Sequence, residues 1–184
     1  ERTGNRFVNM NVLGDFCYIS VGMVVNANEK DAQGAFKKED LISDSYDAIH
    51  CRKYIEAKDI DKFQVKRVRY LEWNTERCPD KLRRPTFREL YDCPKLLINR
   101  LGVLKVYLDM DTHFLHSDSM FCAVLWKDLK GVYNKSLSSS IKKFCKHNRA
   151  AMESLSEKVD LYYLLGILNS SMADQLLTDQ RGGD

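Results

Sequence analysis

The stretch Lys95-Leu96-Leu97-Ile98-Asn99-Arg100-Leu101 decides how this chain is read. It follows Pro94, which disfavours helix at the residue before it. A short apolar run beginning there and carrying polar residues at its far end reads as a buried strand. Two further strands follow, Val103 to Leu108 and Met120 to Trp126, with Asp109-Met110-Asp111-Thr112 as a turn between the first of them and Phe114. Working back from Pro94, Thr86 is placed to cap a helix, with Glu89 as its capping-box partner, and that helix must end near Cys93. Pro79 and Pro85 bracket Asp80 to Arg84 as a very basic loop. Phe63 to Trp73 reads as one edge-like strand with basic residues on its open face. Ala48 to Ile55 is a further strand, Lys38 to Ser43 one short helical turn, Asn26 to Gly34 a loop, and Phe16 to Val25 a strand or hairpin arm.

Downstream the pattern changes. Ser136 to Ser140 resembles a linker, and from about Ser140 the apolar spacing is helical. Leu161, Leu164, Leu165, Leu168 and Met172 form one continuous stripe, with Asp160 or Ser156 as the cap. The expectation is therefore an α+β chain. A strand-rich body over residues 1–139 is followed by a helical segment over 140–184, packed on that body or on a neighbouring domain.

The 184 residues are 44% hydrophobic and 30% charged, material for one sizeable core. No run approaches the roughly eighteen apolar residues of a membrane helix, and no signal-peptide pattern follows Glu1. The first residue is not Met, an apolar pattern starts near Phe7, and the chain ends Gln180-Arg181-Gly182-Gly183-Asp184, all of which reads as an excised fragment. The six cysteines are scattered, without a C-x-x-C pair. They are expected to be free thiols in a reducing compartment, which places the chain in the cytoplasm.

The formal net charge is +3, but it is unevenly spread. Between Lys66 and Lys105 there are eleven basic and five acidic residues, a local +6. A shorter cluster, Lys142, Lys143, Lys146 and Arg149, contains no acid. Arginine dominates the first cluster, and its planar fork suits phosphates and guanine edges. Lys95 and Arg100, which flank the buried strand, are expected to pair with internal acids instead.

Catalytic signatures are scarce. There is no phosphate-cradling G-x-x-x-x-G-K-S/T or G-x-G-x-x-G loop and no G-x-S-x-G elbow. Asp109, Asp111, His113, His116 and Asp118 are five potential metal ligands in ten residues, although aspartates at a turn are explained by local backbone hydrogen bonding. Glu56-Ala57-Lys58 matches the E-x-K half of a metal-dependent nuclease motif but has no Pro-Asp upstream. His50, His113, His116 and His147 have no nucleophile partner in sequence.

Several segments, taken in order, resemble the TaqI-like C-terminal specificity domain of N6-adenine DNA methyltransferases, including fused restriction-modification enzymes. These are Leu13-Gly14-Asp15 leading to Val21-Gly22, then Ala57-Lys58-Asp59-Ile60-Asp61-Lys62-Phe63, Pro94 to Arg100, and Leu108-Asp109 through Phe114. The last is Tyr163-Leu164-Leu165-Gly166-Ile167-Leu168-Asn169-Ser170. The resemblance runs from about Leu13 to Leu177. It departs after Gly22, where Met23-Val24-Val25 stands in place of the family's small polar residues.

The resemblance implies a non-catalytic target-recognition domain that reads double-stranded DNA in the major groove. It would serve an upstream methyltransferase domain of the same polypeptide, which would hold S-adenosylmethionine and the flipped adenine. This chain itself is assigned no cofactor and no metal. Base reading calls for Arg, Lys, Asn or Gln on loops. Arg83 and Arg84 are the leading candidates, with Lys66, Arg67 and Arg69 as phosphate contacts. Arg77 and Lys81 are intermediate, and Asn26 is a base reader by family position. Asn169 and Ser170 are expected to end or pack their helix. Two other readings carry distinct expectations: a protein-interaction module pairing through the Leu161 to Met172 face, or a metal-dependent nuclease using Glu56, Lys58, Asp109 and Asp111.

Overall fold

A computed structural model describes residues 11–181, with side chains described as far as residue 176. The apolar start near Phe7 and the Gly182-Gly183 ending lie outside the described residues. The strands are β1 (Cys17–Val21), β2 (Val24–Ala27), β3 (Ile42–Ser43), β4 (His50–Ile55), β5 (Ile60–Asp61) and β6 (Gln64–Val65), followed by β7 (Arg69–Glu72), β8 (Leu82–Arg84), β9 (Lys95–Asn99), β10 (Val106–Asp109), β11 (Leu115–His116) and β12 (Met120–Leu125). The helices are α1 (Leu13–Phe16), α2 (Glu89–Asp92), α3 (Lys135–Phe144), α4 (Arg149–Ser156), α5 (Leu161–Leu168) and α6 (Ser171–Arg181). The fold is α+β.

The run that opened the sequence reading is β9, buried along its whole length. It sits inside an antiparallel sheet of order β1-β12-β9-β10. The period-2 alternation of strands sends Leu97, with Cys122, Val124 and Tyr18, to one core. Leu96 and Ile98, with Ala123, Leu125 and Cys17, go to a second core on the opposite face. Because both faces are covered, the strand can be apolar without a break. The first core is shared with a second sheet, β11-β4-β7-β3, through Tyr54, Ile55, Leu71 and Leu115. The second is covered by α5, through Leu161 and Leu164.

Lys95 opens β9 and is fully buried. Its Nζ lies 2.8 Å from Asp109 Oδ2 and donates to the Tyr91 carbonyl at 2.6 Å. Asp109 in turn accepts from the amides of Thr112, His113 and Phe114, so one carboxylate both closes the expected turn and neutralises the buried lysine. Arg100 donates to the Asp118 carbonyl and stacks on Phe121, so it meets a carbonyl rather than an acid.

Elsewhere the structure corrects the sequence reading. Phe63 to Trp73 is two strands, β6 and β7, and β7 lies between β4 and β3 instead of at an edge. The proline-bracketed segment carries strand β8, anchored by buried Leu82. Thr86 does not cap α2: it has φ 64°, and its hydroxyl bonds Tyr91 Oη and the Pro85 carbonyl. Ser136 to Ser140 lies inside α3, whose cap is Asn134 accepting from the Leu137 amide. The stripe from Leu161 to Met172 is interrupted. Asp160 caps α5 as expected, α5 ends at Leu168, and Met172 on α6 is exposed.

Asn169 explains the interruption. Its side chain accepts from the Val106 amide at 2.9 Å and donates to the Val106 carbonyl at 2.8 Å, extending the ladder at the outer strand β10. Among the described residues, no helix is long and apolar enough to cross a membrane.

Candidate nucleic-acid interface

Gly22 is the point from which the exposed part of the molecule is built. A Cβ there would stand 2.2 Å from the His116 carbonyl oxygen and 2.4 Å from that of Ser117, so only glycine fits. Just beyond it, the Met23 amide donates to the His116 carbonyl, and the Met23 carbonyl accepts from Asp118. The chain then continues as β2, which among the described residues pairs with β8 alone in a two-stranded antiparallel ribbon, bulged between Val24 and Ala27. Val25 and Leu82 hold the ribbon to the core, while Asn26, Arg83 and Arg84 are exposed. Arg84 donates to the Gly22 carbonyl at 3.0 Å, which braces the root of the ribbon. Arg83 meets only Glu29, at 3.7 Å with both side chains largely exposed, a contact worth ~0–1 kcal/mol. The Lys81 carbonyl accepts from Asn28 and continues the ribbon.

Beside the ribbon lies a cleft of about 800 Å³, walled by Val24 to Ala27, Lys37-Lys38, Ala57-Lys58 and Ser117 to Ser119. Its floor is a charge network. Glu56 Oε1 accepts from Lys38 Nζ at 2.8 Å, and its Oε2 lies 3.1 Å from Lys58 Nζ and 3.0 Å from Arg69 Nη2. Burial opposes the charge on Glu56, but these three cations outweigh it and hold the carboxyl down at about 2. Burial pushes the neighbouring Tyr54 hydroxyl well above its ordinary range.

The other basic residues singled out from the sequence are placed differently. Arg69 is buried, with its guanidinium between Glu56 and Asp59, which directs its charge into the protein and away from a phosphate. Arg77 is forked onto Glu72 and lies over Phe36. Arg67 reaches Asp44 at 2.5 Å and Lys66 reaches Asp61 at 3.9 Å, both at the surface. The structure thus brings Asn26, Arg83, Arg84 and Lys81 onto one ribbon and leaves the Lys66 to Arg77 group as pairs elsewhere. Lys37 and Lys38 were missed as candidates. Their signal was a lysine pair directly after the loop that follows Asn26.

The nuclease set is not assembled as a metal site. Both Asp109 oxygens are engaged by Lys95 and three amides, and both Glu56 oxygens by cations. Among the described residues, no group of three His, Cys, Asp or Glu side chains is arranged to hold a metal ion. Of the helix-pairing face, Leu161 and Leu164 are buried and Leu165 and Leu168 half-buried against the first sheet, while Met172 is exposed.

No protein-family model matches this chain, and none of the curated proteins does either.

Proposed function

We propose that this chain is a sequence-reading domain for double-stranded DNA, working for an adenine-N6 methyltransferase domain upstream in the same polypeptide. The observation that carries the reading is the β2–β8 ribbon. It is a two-stranded element, the kind of ribbon a major groove admits, held to the core by Val25 and Leu82, with Asn26 and Arg83 exposed and a lysine-walled cleft at its side. Asparagine pairs bidentately with adenine and arginine with guanine, so these two are the base readers. Arg84 steadies the ribbon and adds charge, while Lys37, Lys58 and Lys81 hold phosphates. The methyltransferase partner and its S-adenosylmethionine follow from the family resemblance alone, and no residue of this chain is assigned to that cofactor. The six thiols, all unpaired, fit a cytoplasmic protein.

The test is selection of bound duplexes from a random library, with wild type, Asn26→Ala and Arg83→Ala. The expected result is an enriched motif in which each variant relaxes one position by roughly 5- to 150-fold, matching ~1–3 kcal/mol per bidentate contact. Binding without any enriched motif, or a motif untouched by both substitutions, overturns the reading. In the intact parent enzyme, exchanging residues 13–177 for those of a relative should change the methylated adenine motif.

A further inference from the structure

In the basic cluster that dominates the sequence most cations stand beside an acid, Arg69, Arg77 and Lys95 against buried carboxylates and Arg83 only loosely. Eight of its eleven cations lie in ion pairs: Lys66, Arg67, Arg69, Arg77, Arg83, Arg88, Lys95 and Lys105. The smaller cluster behaves in the opposite way. Between Asp128 and Glu153 there are six basic residues and no acid. Arg149 is used internally, against Trp126, Glu153 and the carbonyls of Leu129 and Val132. Lys135, Lys142, Lys143 and Lys146 are exposed, and none forms an ion pair with a described residue.

Two of these lysines, Lys135 and Lys143, line one built surface, with Lys142 on the same helix and Lys146 just past its end. Helix α3 turns Leu137, Ile141 and Cys145 into the first core. Ser136, Ser139, Ser140 and Lys143, spaced i, i+3, i+4, i+7, share a second face with Lys135. That face forms one wall of a groove of about 520 Å³, and β1, the outer strand of its sheet, forms the other through Tyr18 to Val21. Apart from Phe144 at its far end, the helix wall offers hydroxyl and ammonium groups and no carboxylate. Such a wall can hold phosphate oxygens, but it has no carboxylate to accept from a base amino group. The groove is also tied to the ribbon. Val21 at its edge and Val24 at the start of β2 are three residues apart, so at most ~11 Å.

We infer that α3 is a second DNA-contacting surface, a sequence-independent grip on the phosphodiester backbone of the duplex that the ribbon reads. The inference rests on the proposed function above, but it assigns a different surface and a different task. Positioning contacts of this kind carry much of the affinity and its salt dependence, and no sequence information.

The experiment is duplex binding measured from 50 to 300 mM KCl by fluorescence anisotropy. It compares wild type, a quadruple Lys→Gln variant at 135, 142, 143 and 146, and the matching quadruple Lys→Arg variant, with thermal melts as a folding control. All four side chains are exposed, so both variants should fold. The expected result is a log K against log [salt] slope shallower by about 2–4 in the Gln variant, at ~0.9 per lost phosphate contact. Affinity should fall equally for the selected motif and for unrelated duplexes, and the Arg variant should restore the wild-type slope. A Gln variant with unchanged slope, in a protein whose Asn26 and Arg83 variants still shift the motif, overturns the α3 assignment and leaves the proposed function standing. A wild type that binds no duplex at 50 mM salt overturns both. Loss of binding to an acidic peptide such as polyglutamate, with DNA binding intact, overturns the inference in favour of a protein partner along β1.

Discussion

His116 sits where the two sheets and the ribbon meet, and its burial should appear in how the protein responds to acid. The ring is fully buried, edge-on to Tyr91 and against Gly22, and among the described residues neither nitrogen makes a well-formed hydrogen bond. Burial, reinforced by the Lys95 ammonium and opposed by the Phe114 backbone, pulls its pKa from 6.5 to about 3. In the unfolded chain the imidazole takes up a proton below about pH 6.5, while in the folded protein it stays neutral to about pH 3. The unfolded state therefore binds more protons throughout that interval. Stability that is complete above pH 6.5 is lost as pH falls, at up to ~1.4 kcal/mol per pH unit. By pH 4.5 the loss is about 2.5 kcal/mol, a sizeable part of a typical domain's ~5–15 kcal/mol.

Comparison with a variant that lacks the imidazole separates this group from the carboxylates. Glu56 has its folded pKa lowered from 4.5 to about 2, so it contributes stability that is lost only as pH falls below 4.5. The assay is urea unfolding followed by tryptophan fluorescence at pH 7.5, 6.5, 5.5 and 4.5, for wild type and His116→Phe. Phe replaces the ring by an apolar one of similar size, and no hydrogen bond is lost. The variant should match wild type at pH 7.5 to within ~1.5 kcal/mol and be the more stable protein by about 2.5 kcal/mol more at pH 4.5 than at pH 7.5. Parallel pH dependence in the two proteins would refute the reasoning, because it would place the acid-sensitive group elsewhere.

Two structural substitutions test how the ribbon and the outer strand are held. Gly22→Ala must push the His116–Ser117 backbone aside. It should cost about 2–4 kcal/mol in urea unfolding and speed hydrogen exchange at the Met23 and Asp118 amides first. Asn169→Ala leaves the Val106 amide without its partner and the Val106 carbonyl with the Phe63 amide alone, at about 1–3 kcal/mol, whereas Asn169→Leu with the same readout shows whether filling the space alone suffices; full recovery would contradict the hydrogen-bonding role.

Features set by one local rule were legible in the sequence. The run after Pro94 became β9, Asp109 closed its turn, and Asp160 capped α5. Those decided by a distant partner were not. Leu82 makes a strand of a segment that reads as a charged loop, because β2 supplies the ladder from about sixty residues away. Phe63 to Trp73 looked like one strand because its apolar spacing is nearly continuous, yet the Lys66 and Arg67 amides turn back to the Asp59 carbonyl and split it. The stripe through Leu161 to Met172 gave no hint that Asn169 is claimed by Val106. The candidate site was half visible. The residue types of the ribbon were found, but as two unrelated loops, and their meeting is a fact of pairing that one-dimensional spacing does not contain.

Charge follows the same logic. A count along the chain ranks Lys66 to Lys105 as the positive surface, but a sheet brings distant acids against its cations. Asp44, Glu56, Asp59 and Asp61 all lie outside that window and all accept from it. Helix α3 escapes this for two physical reasons. No acid lies within its own sequence to form an i,i+4 pair, and its buried face is largely apolar; no described acid forms an ion pair with its lysines. In a strand-rich protein, unpaired positive charge therefore belongs where an acid-free helix lies along an open sheet edge, and in this chain that helix is α3 beside β1.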